Sequence, residues 1–195
     1  MIIVRHRINT IAELRKVSPQ YGVEIDVRGY GKKLILNHEA LMPGESMEKY
    51  LRAYRHRFIM FNIKEAGTEI ETIRLAKKYN IKDYLLMDVE FDFIYKASRT
   101  GFRKMAIRYS EEESMETVLR YKNKIDWVWM NTFSTLPLNA TVVRQLRGFK
   151  VGLVCPERWG RPEDIPHYIK KMQQLHFKLD LVMTREEYVT EYEKA

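Results

Sequence analysis

The feature that most constrains this chain is the regular return of short apolar segments, rich in β-branched and aromatic residues, with helical stretches between them. The segments cover residues 2–7, 23–28, 34–38, 58–64, 84–89, 104–109, 127–131, 151–155 and 179–184. Each has the length and composition of a strand. Between them lie helix-start patterns: Thr68 with Glu71 and Ser110 with Glu113 match a capping box, and Ile70, Ile73 and Ala76 form an apolar stripe. Segment 34–38 follows its predecessor through Gly29, Tyr30 and Gly31, too short a link for a helix, and is expected as a hairpin arm. Without that arm, eight strands remain, each followed by a helix or a short substitute, the last a weak helix at 185–193. Eight alternating units predict an α/β fold, a compact (βα)8 TIM barrel, as one domain over residues 1–195. Such barrels usually take about 250 residues, so abbreviated helices are expected, notably after the first strand and around 91–100. An open doubly wound sheet is the alternative, but neither a GxGxxG after the first strand nor a GxxxxGK[ST] is present.

At 45% hydrophobic and 31% charged, the composition excludes a disordered chain, a collagen-like repeat and a low-complexity linker. The lone Cys155 leaves no intrachain disulfide and no thiol cluster for zinc or iron–sulfur, which predicts a reducing compartment. The opening apolar run ends at Arg5 and no stretch is long enough to span a bilayer, so a cytoplasmic protein without a transmembrane segment is expected. The net charge of +8 is spread along the chain, which suits a small anionic substrate as well as a nucleic acid.

Strands buried on both faces should be nearly all apolar, so an ionisable residue inside one needs a partner or a purpose. In residues 23–28, Glu24, Asp26 and Arg28 alternate onto one face and Val23, Ile25 and Val27 onto the other. Two carboxylates about 7 Å apart on one face repel unless a cation lies between them. A hard divalent ion answers that need; an ion pair with a nearby Arg or Lys, or an edge strand with one wet face, answers it equally well. Other strands also end in polar residues: His6 and Arg7, then Asn37, His38 and Glu39, then Asn62 and Lys64, then Asp88 and Glu90, then Arg108 and Ser110. In a barrel, C-terminal strand ends converge on the catalytic mouth. Two histidines, an acidic pair and several cations there suit acid–base chemistry on a phosphorylated substrate.

The remaining candidates favour packing roles. His56 is expected in a helix between Arg55 and Arg57, and His167 and His176 in the seventh helix, all as surface or core-edge residues. Trp127 and Trp129 share a face with Asn131 and are read as core, the wall of a cleft being the other option. Cys155 is expected as a buried small hydrophobe.

This constellation resembles the glycerophosphodiester phosphodiesterase family, within the wider group of barrels related to phosphatidylinositol-specific phospholipase C. The match lies in the first third of the chain: a strand ending His6–Arg7, a strand carrying Glu24–Ile25–Asp26, and an apolar arm ending in His38. The resemblance implies a metal-assisted phosphodiesterase acting on a small phosphodiester. It implies that His6 and His38 are general base and acid, that Arg7 and Lys64 hold the phosphate, and that Glu24 and Asp26 bind Mg²⁺ or Ca²⁺; Arg108, from its place at a strand end, is expected to point into the same mouth. The nucleophile is either a neighbouring hydroxyl of the substrate, giving a cyclic phosphate, or water.

The chain departs from the family pattern where Glu-x-Lys becomes Asn62–Ile63–Lys64, which leaves Asn62 as a neutral metal ligand and predicts weak metal binding unless Asp88 or Glu90 adds a carboxylate. Ile8 replaces a glycine, Glu-Asn-Thr is reduced to Asn9–Thr10, and there is no room for the large insertion that recognises glycerol. Two other functions stay in view. One is a catalytically impaired relative that binds a phosphorylated metabolite or a protein partner. The other is a polyanion binder, which would need its basic residues in one surface stripe; nucleic acid is not the expected partner.

Overall fold

The computed structural model describes residues Met1–Lys194. They form a mixed α/β chain of the TIM-barrel-like kind, in which a strand is repeatedly followed by a helix. Two compact units are distinguished: Val4–Tyr95, and Met1–Ile3 together with Lys96–Ala195. No helix among the described residues is long and apolar enough to cross a membrane.

The first unit is built on β2 (Gly22–Tyr30), whose parallel neighbours are β1 (Ile2–Arg5) and β5 (Phe58–Ile63). Val23, Ile25 and Val27 are fully buried, as the alternation requires. Gly22 allows the close approach, since a Cβ there would meet Val4 at 2.9 Å and the Phe58 carbonyl at 3.0 Å. Past the core, β2 continues into an antiparallel hairpin with β3 (Lys33–Leu36), and β3 pairs in turn with β4 (Glu45–Ser46). The hairpin arm is therefore present, while β4 is too short to leave a periodic signal. β5 pairs in parallel with β6 (Tyr84–Met87).

The helices of this unit are α1 (Ile11–Leu14), α2 (Met47–Ala53), α3 (Glu69–Lys78) and the first part of α4 (Phe91–Arg99). The four-residue α1 is the abbreviated helix expected after the first strand, held by a capping box between Thr10 and Glu13. In contrast, α4 runs nine residues and is not abbreviated.

Both capping boxes expected from sequence are absent. Thr68 precedes α3 but its hydroxyl donates to the Glu65 carbonyl at 2.8 Å. Ser110 caps a turn, accepting from the Glu112 N–H at 3.1 Å, and the next helix starts five residues later behind Ser114. The buried face of α3 carries Glu69, Thr72, Leu75 and Ala76, so the stripe is rotated and Ile70 is 68% exposed. His56 lies beyond the end of α2 in extended chain, where its Nε2 meets the Val17 carbonyl at 2.9 Å.

In the second unit, β7 (Ala106–Tyr109), β8 (Trp127–Met130), β9 (Lys150–Val154) and β10 (Leu181–Thr184) pair in sequence order, all parallel. Their connections carry α5 (Met115–Arg120), α6 (Ala140–Leu146) and α7 (Asp164–Gln174), and α8 (Val189–Glu193) follows β10. Trp127 and Trp129 are buried, which makes them core. Gly152 sits under Trp129, where a Cβ would come within 2.8 Å of the indole. His167 is in α7, but His176 lies past its end with φ +50°.

Candidate active site

Seven of the residues singled out in the sequence lie in the first unit, and most are in direct contact. Glu24 and Asp26 have no exposed surface, and both side chains meet Asn62 of the adjacent β5. The Asn62 amide nitrogen donates to Glu24 Oε1 at 2.8 Å and to Asp26 Oδ1 at 3.2 Å. Asn9 closes the other side of Asp26, donating to Oδ2 at 2.8 Å and accepting from the Asp26 N–H at 2.8 Å. The Lys64 ammonium stands 3.5 Å from Asp26 Oδ1.

Of the ways a buried carboxylate pair can be offset, the structure thus contains an ion pair with lysine, assisted by two asparagines. The offset is incomplete. Burial, with the charge of Asp26 adding to it, raises the Glu24 carboxyl from 4.5 to about 7 despite the hydrogen bonds from Asn62 and Arg7.

Arg7 links this cluster to His38. Its backbone is in the left-handed region at φ +54°, a conformation that costs a non-glycine residue energy and that concentrates at functional sites. The turn aims the Arg7 N–H at Glu24 Oε2, 2.7 Å away, while guanidinium Nη2 lies 2.5 Å from His38 Nε2. The other His38 nitrogen, Nδ1, lies 2.6 Å from the Glu39 carboxylate. That hydrogen bond, with the charge of His38, holds the exposed Glu39 carboxyl below the usual range. When the ring is neutral, a proton on Nδ1 toward Glu39 leaves Nε2 with the lone pair that faces Arg7. Arg28 does not touch the carboxylates. Its guanidinium donates to the His38 carbonyl at 2.9 Å and to the Lys64 carbonyl at 3.2 Å, which fixes the two segments carrying those side chains.

His6 follows β1 directly and is half-buried. Arg108 belongs to the second unit, where its Nε pairs with Glu113 at 2.5 Å and its guanidinium stands 6.0 Å over the Phe133 ring. Asp88 and Glu90 follow β6, and among the described residues no third carboxylate, histidine or cysteine joins Glu24 and Asp26 as a metal-binding group. Of the two completions left open by the sequence, the pair has the Asn62 amide beside it and neither Asp88 nor Glu90. The Asn62 side-chain oxygen is buried and has no hydrogen-bond partner. As it stands the Asn62 amide turns its nitrogen, not its oxygen, to both carboxylates, so these residues fit a hard cation only with the amide flipped to present that idle oxygen, and weakly, because a third charge is missing.

Asn9, Arg28 and Glu39 complete the cluster; the sequence puts Arg28 on the carboxylate face and Glu39 among the polar strand ends but gives none of the three a role. Asn9 and Glu39 lie within two residues of Arg7 and His38, and Arg28 shares the strand face of Glu24 and Asp26, the nearest thing to a signal. Cys155 is fully buried, its thiol pushed up by burial, in keeping with a packing role.

No protein-family model and no curated protein matches the chain by sequence. Solved structures do match in fold. One is a protein of Agrobacterium tumefaciens str. C58 assigned as a glycerophosphoryl diester phosphodiesterase, with a TM-score of 0.69 and 12% identity over 99% of this chain and 98% of that one. A glycerophosphoryl diester phosphodiesterase from Parabacteroides distasonis ATCC 8503 gives 0.68 and 12% over 99% of this chain and 86% of that one. A glycerophosphodiester phosphodiesterase from Agrobacterium tumefaciens str. C58 gives 0.65 and 12% over 94% and 96%. At this identity the likeness is one of fold.

Proposed function

We infer that this chain, sharing the fold of those phosphodiesterases, hydrolyses a small phosphodiester at the cluster around His38. One observation carries the reading: the His38 imidazole is held between the Arg7 guanidinium at 2.5 Å and the Glu39 carboxylate at 2.6 Å, beside a buried carboxylate pair. A carboxylate on Nδ1 fixes the tautomer and leaves Nε2 to take or give a proton. A guanidinium next to that nitrogen is placed to receive a phosphoryl oxygen through charge-assisted hydrogen bonds.

Hydrolysis needs one proton removed from the attacking hydroxyl and one given to the departing oxygen. His6 and His38 take these two roles, with a neighbouring hydroxyl of the substrate or water as nucleophile. Arg7 and Lys64 hold the phosphoryl oxygens. Glu24, Asp26 and Asn62 would hold Mg²⁺ or Ca²⁺, the Asn62 oxygen that lacks a partner being the acceptor drawn into use. A bound cation would supply positive charge against the developing charge on the phosphoryl group. The lone, buried Cys155 supports a cytoplasmic setting. A relative that binds phosphorylated ligands without turnover is the second reading, favoured by the neutral Asn62 where the related pattern has a carboxylate.

The deciding assay offers glycerophosphodiesters, sugar phosphodiesters and cyclic phosphates to the purified protein with and without EDTA. Turnover of one class is expected, with His38→Ala losing about 10²- to 10⁴-fold. Release of the alcohol and phosphomonoester at equal rates by wild type and His38→Ala removes the histidine from the chemistry. Binding without turnover by wild type establishes the second reading.

A further inference from the structure

A cleft of about 510 Å³ opens in the second unit beside α7, where Met1 leads into β1 and Leu179 leads into β10. These are the starts of the strands, whereas the groups of the proposed hydrolysis follow strand ends. The way α7 stops builds the cleft. Ile169 and Met172 share a face of the helix, which ends at Leu175. The chain then reverses through His176, held at φ +50°, a conformation that helix ends usually give to glycine or asparagine. The His176 N–H donates to the Gln173 carbonyl at 3.0 Å and the Phe177 N–H to the Met172 carbonyl at 2.9 Å. This double closure brings the residue after the turn back onto the last turns of the helix, and Phe177 and Met172 accordingly line the same cleft. The Ile2 N–H donates to the Asp180 carbonyl at 2.7 Å, which holds Met1 beside Leu179 as a further wall.

The lining is apolar inside and cationic at the rim. Met172 and Leu179 are buried, Ile169 and Phe177 half-buried, and Lys178 and His176 exposed. Tyr192 of α8 is buried with its hydroxyl spent on Cys155 Sγ at 2.9 Å, which leaves its ring as its contribution. Among the described residues no carboxylate lines the cleft. Asp180, next after Leu179, is engaged elsewhere, its Oδ2 accepting from the Val151 N–H at 2.8 Å. The α7 carbonyls of Lys171, Met172 and Gln173 are taken up by the N–H groups of Leu175, Phe177 and His176, so the helix end does not set those acceptors against an anion.

We propose that this cleft binds a single-chain anionic amphiphile, an alkyl carboxylate of medium length, with its chain against Met172, Phe177 and Leu179 and its head group at the rim beside Lys178 and His176. The two halves of the lining select the two halves of the ligand. An apolar chain gains by leaving water, and unbranched methionines adapt their shape to it. A carboxylate at the rim meets cations and no opposing acid, and keeps its contact with water. A cationic amphiphile would put its head against Lys178, and a small anion without a chain would gain nothing from the apolar walls. The volume lies within the range of small-molecule sites.

The test titrates sodium decanoate, octanoate and acetate, and against them decyltrimethylammonium, into the full chain below their micellar concentrations, read by calorimetry and ligand-observed NMR. Decanoate binds about 15-fold more tightly than octanoate, the worth of two buried methylenes, and acetate and the cationic amphiphile do not bind. Lys178→Gln weakens decanoate about two- to fivefold, the range of an exposed ion pair, and Lys178→Glu weakens it further. Ile169→Asp puts a charge into the wall and abolishes binding. Should Ile169→Asp fail to fold, Lys178→Glu, at an exposed position, decides alone. Decyltrimethylammonium binding as well as decanoate, affinity for decanoate unchanged in Lys178→Glu, equal affinities for acetate and decanoate, or no decanoate binding at all, each overturns the proposal. Retention on vesicles of anionic phospholipid without binding of free decanoate overturns it too, and assigns the basic rim to a membrane surface. The readout is binding at a cleft that no residue of the His38 cluster lines, so its failure leaves the hydrolase reading standing, and a chain that hydrolyses nothing leaves this site standing.

Discussion

Neutralising Glu24 should stabilise the metal-free protein, and only at the alkaline side of its titration. The carboxyl is fully buried on β2 and rises from 4.5 to about 7, through desolvation first and the charge of Asp26 second. Between those values the folded chain keeps a proton that the unfolded chain has released. Stability is therefore full below pH 4.5, falls as pH rises through the window, and levels off above pH 7. At 1.36 kcal/mol per pH unit the fall amounts to about 3 kcal/mol. Glu24→Gln removes the titrating group, and whatever it costs in packing or hydrogen bonding is the same at each pH. Thermal unfolding of both proteins in EDTA at pH 5 and pH 8 isolates the difference. Between pH 5 and pH 8 about 2.5 kcal/mol of this is sampled; for a chain of this size each kcal/mol is worth about 2–4 °C, so the gap in Tm between variant and wild type should move by about 5–10 °C in favour of the variant. Parallel pH curves for the two proteins would show that Asn62 and Lys64 already neutralise the pair, and the reasoning would be refuted.

Three further outcomes follow from the geometry. Glu39→Gln loses the carboxylate that orients His38, so kcat should fall about tenfold or more with KM nearly unchanged, and steady-state kinetics separates the two. Asn62→Glu gives the site a third carboxylate, and calorimetric titration of Mg²⁺ or Ca²⁺ should show tighter binding than wild type; equal affinities would remove Asn62 from the donor set. Gly152→Ala forces a methyl to within 2.8 Å of Trp129, and urea unfolding should register a loss of about 1–3 kcal/mol.

What the sequence made legible was whatever repeats or alternates. The nine strand segments were readable because Val, Ile, Leu and aromatic residues recur in short runs, and the structure has a strand in each, most of them shorter by one or two residues at an end. The face shared by Glu24 and Asp26 follows from a period of two, and both side chains are fully buried. Local capping was misread because Thr68 and Ser110 have nearby carbonyls and N–H groups that compete for their hydroxyls. The partners of the carboxylates were invisible for a different reason. Asn62 lies 36 residues from Asp26 and reaches it only through the pairing of β2 with β5, which no local pattern encodes. The bond between Arg7 and His38 depends likewise on a positive φ at Arg7, which a residue with a Cβ does not advertise.

The charge carried by this cluster ties its acid–base state to its capacity for phosphate. Asp26 and Lys64 form one pair, leaving Arg7 as the cation beside the half-exposed His38 and Glu24 as the anion beneath it. With Glu24 protonated these four groups sum to one positive charge, and with Glu24 ionised they sum to none. A phosphodiester arriving at Arg7 is thus attracted more strongly to the protonated cluster, and by reciprocity its binding must raise the Glu24 carboxyl further. A divalent cation on Glu24 and Asp26 pulls the other way on the carboxyl, because it needs the ionised form, and in the same direction on the phosphate, because it adds two positive charges. Proton and metal are therefore competing means of making one site positive. In EDTA, the affinity for a phosphodiester, whose own charge is constant here, should fall between pH 6 and pH 8 as Glu24 ionises, and with the ion present the fall should shrink, since the ion takes up the charge as the proton leaves. An affinity that follows the same pH curve with and without the ion would mean that phosphate does not bind beside Glu24.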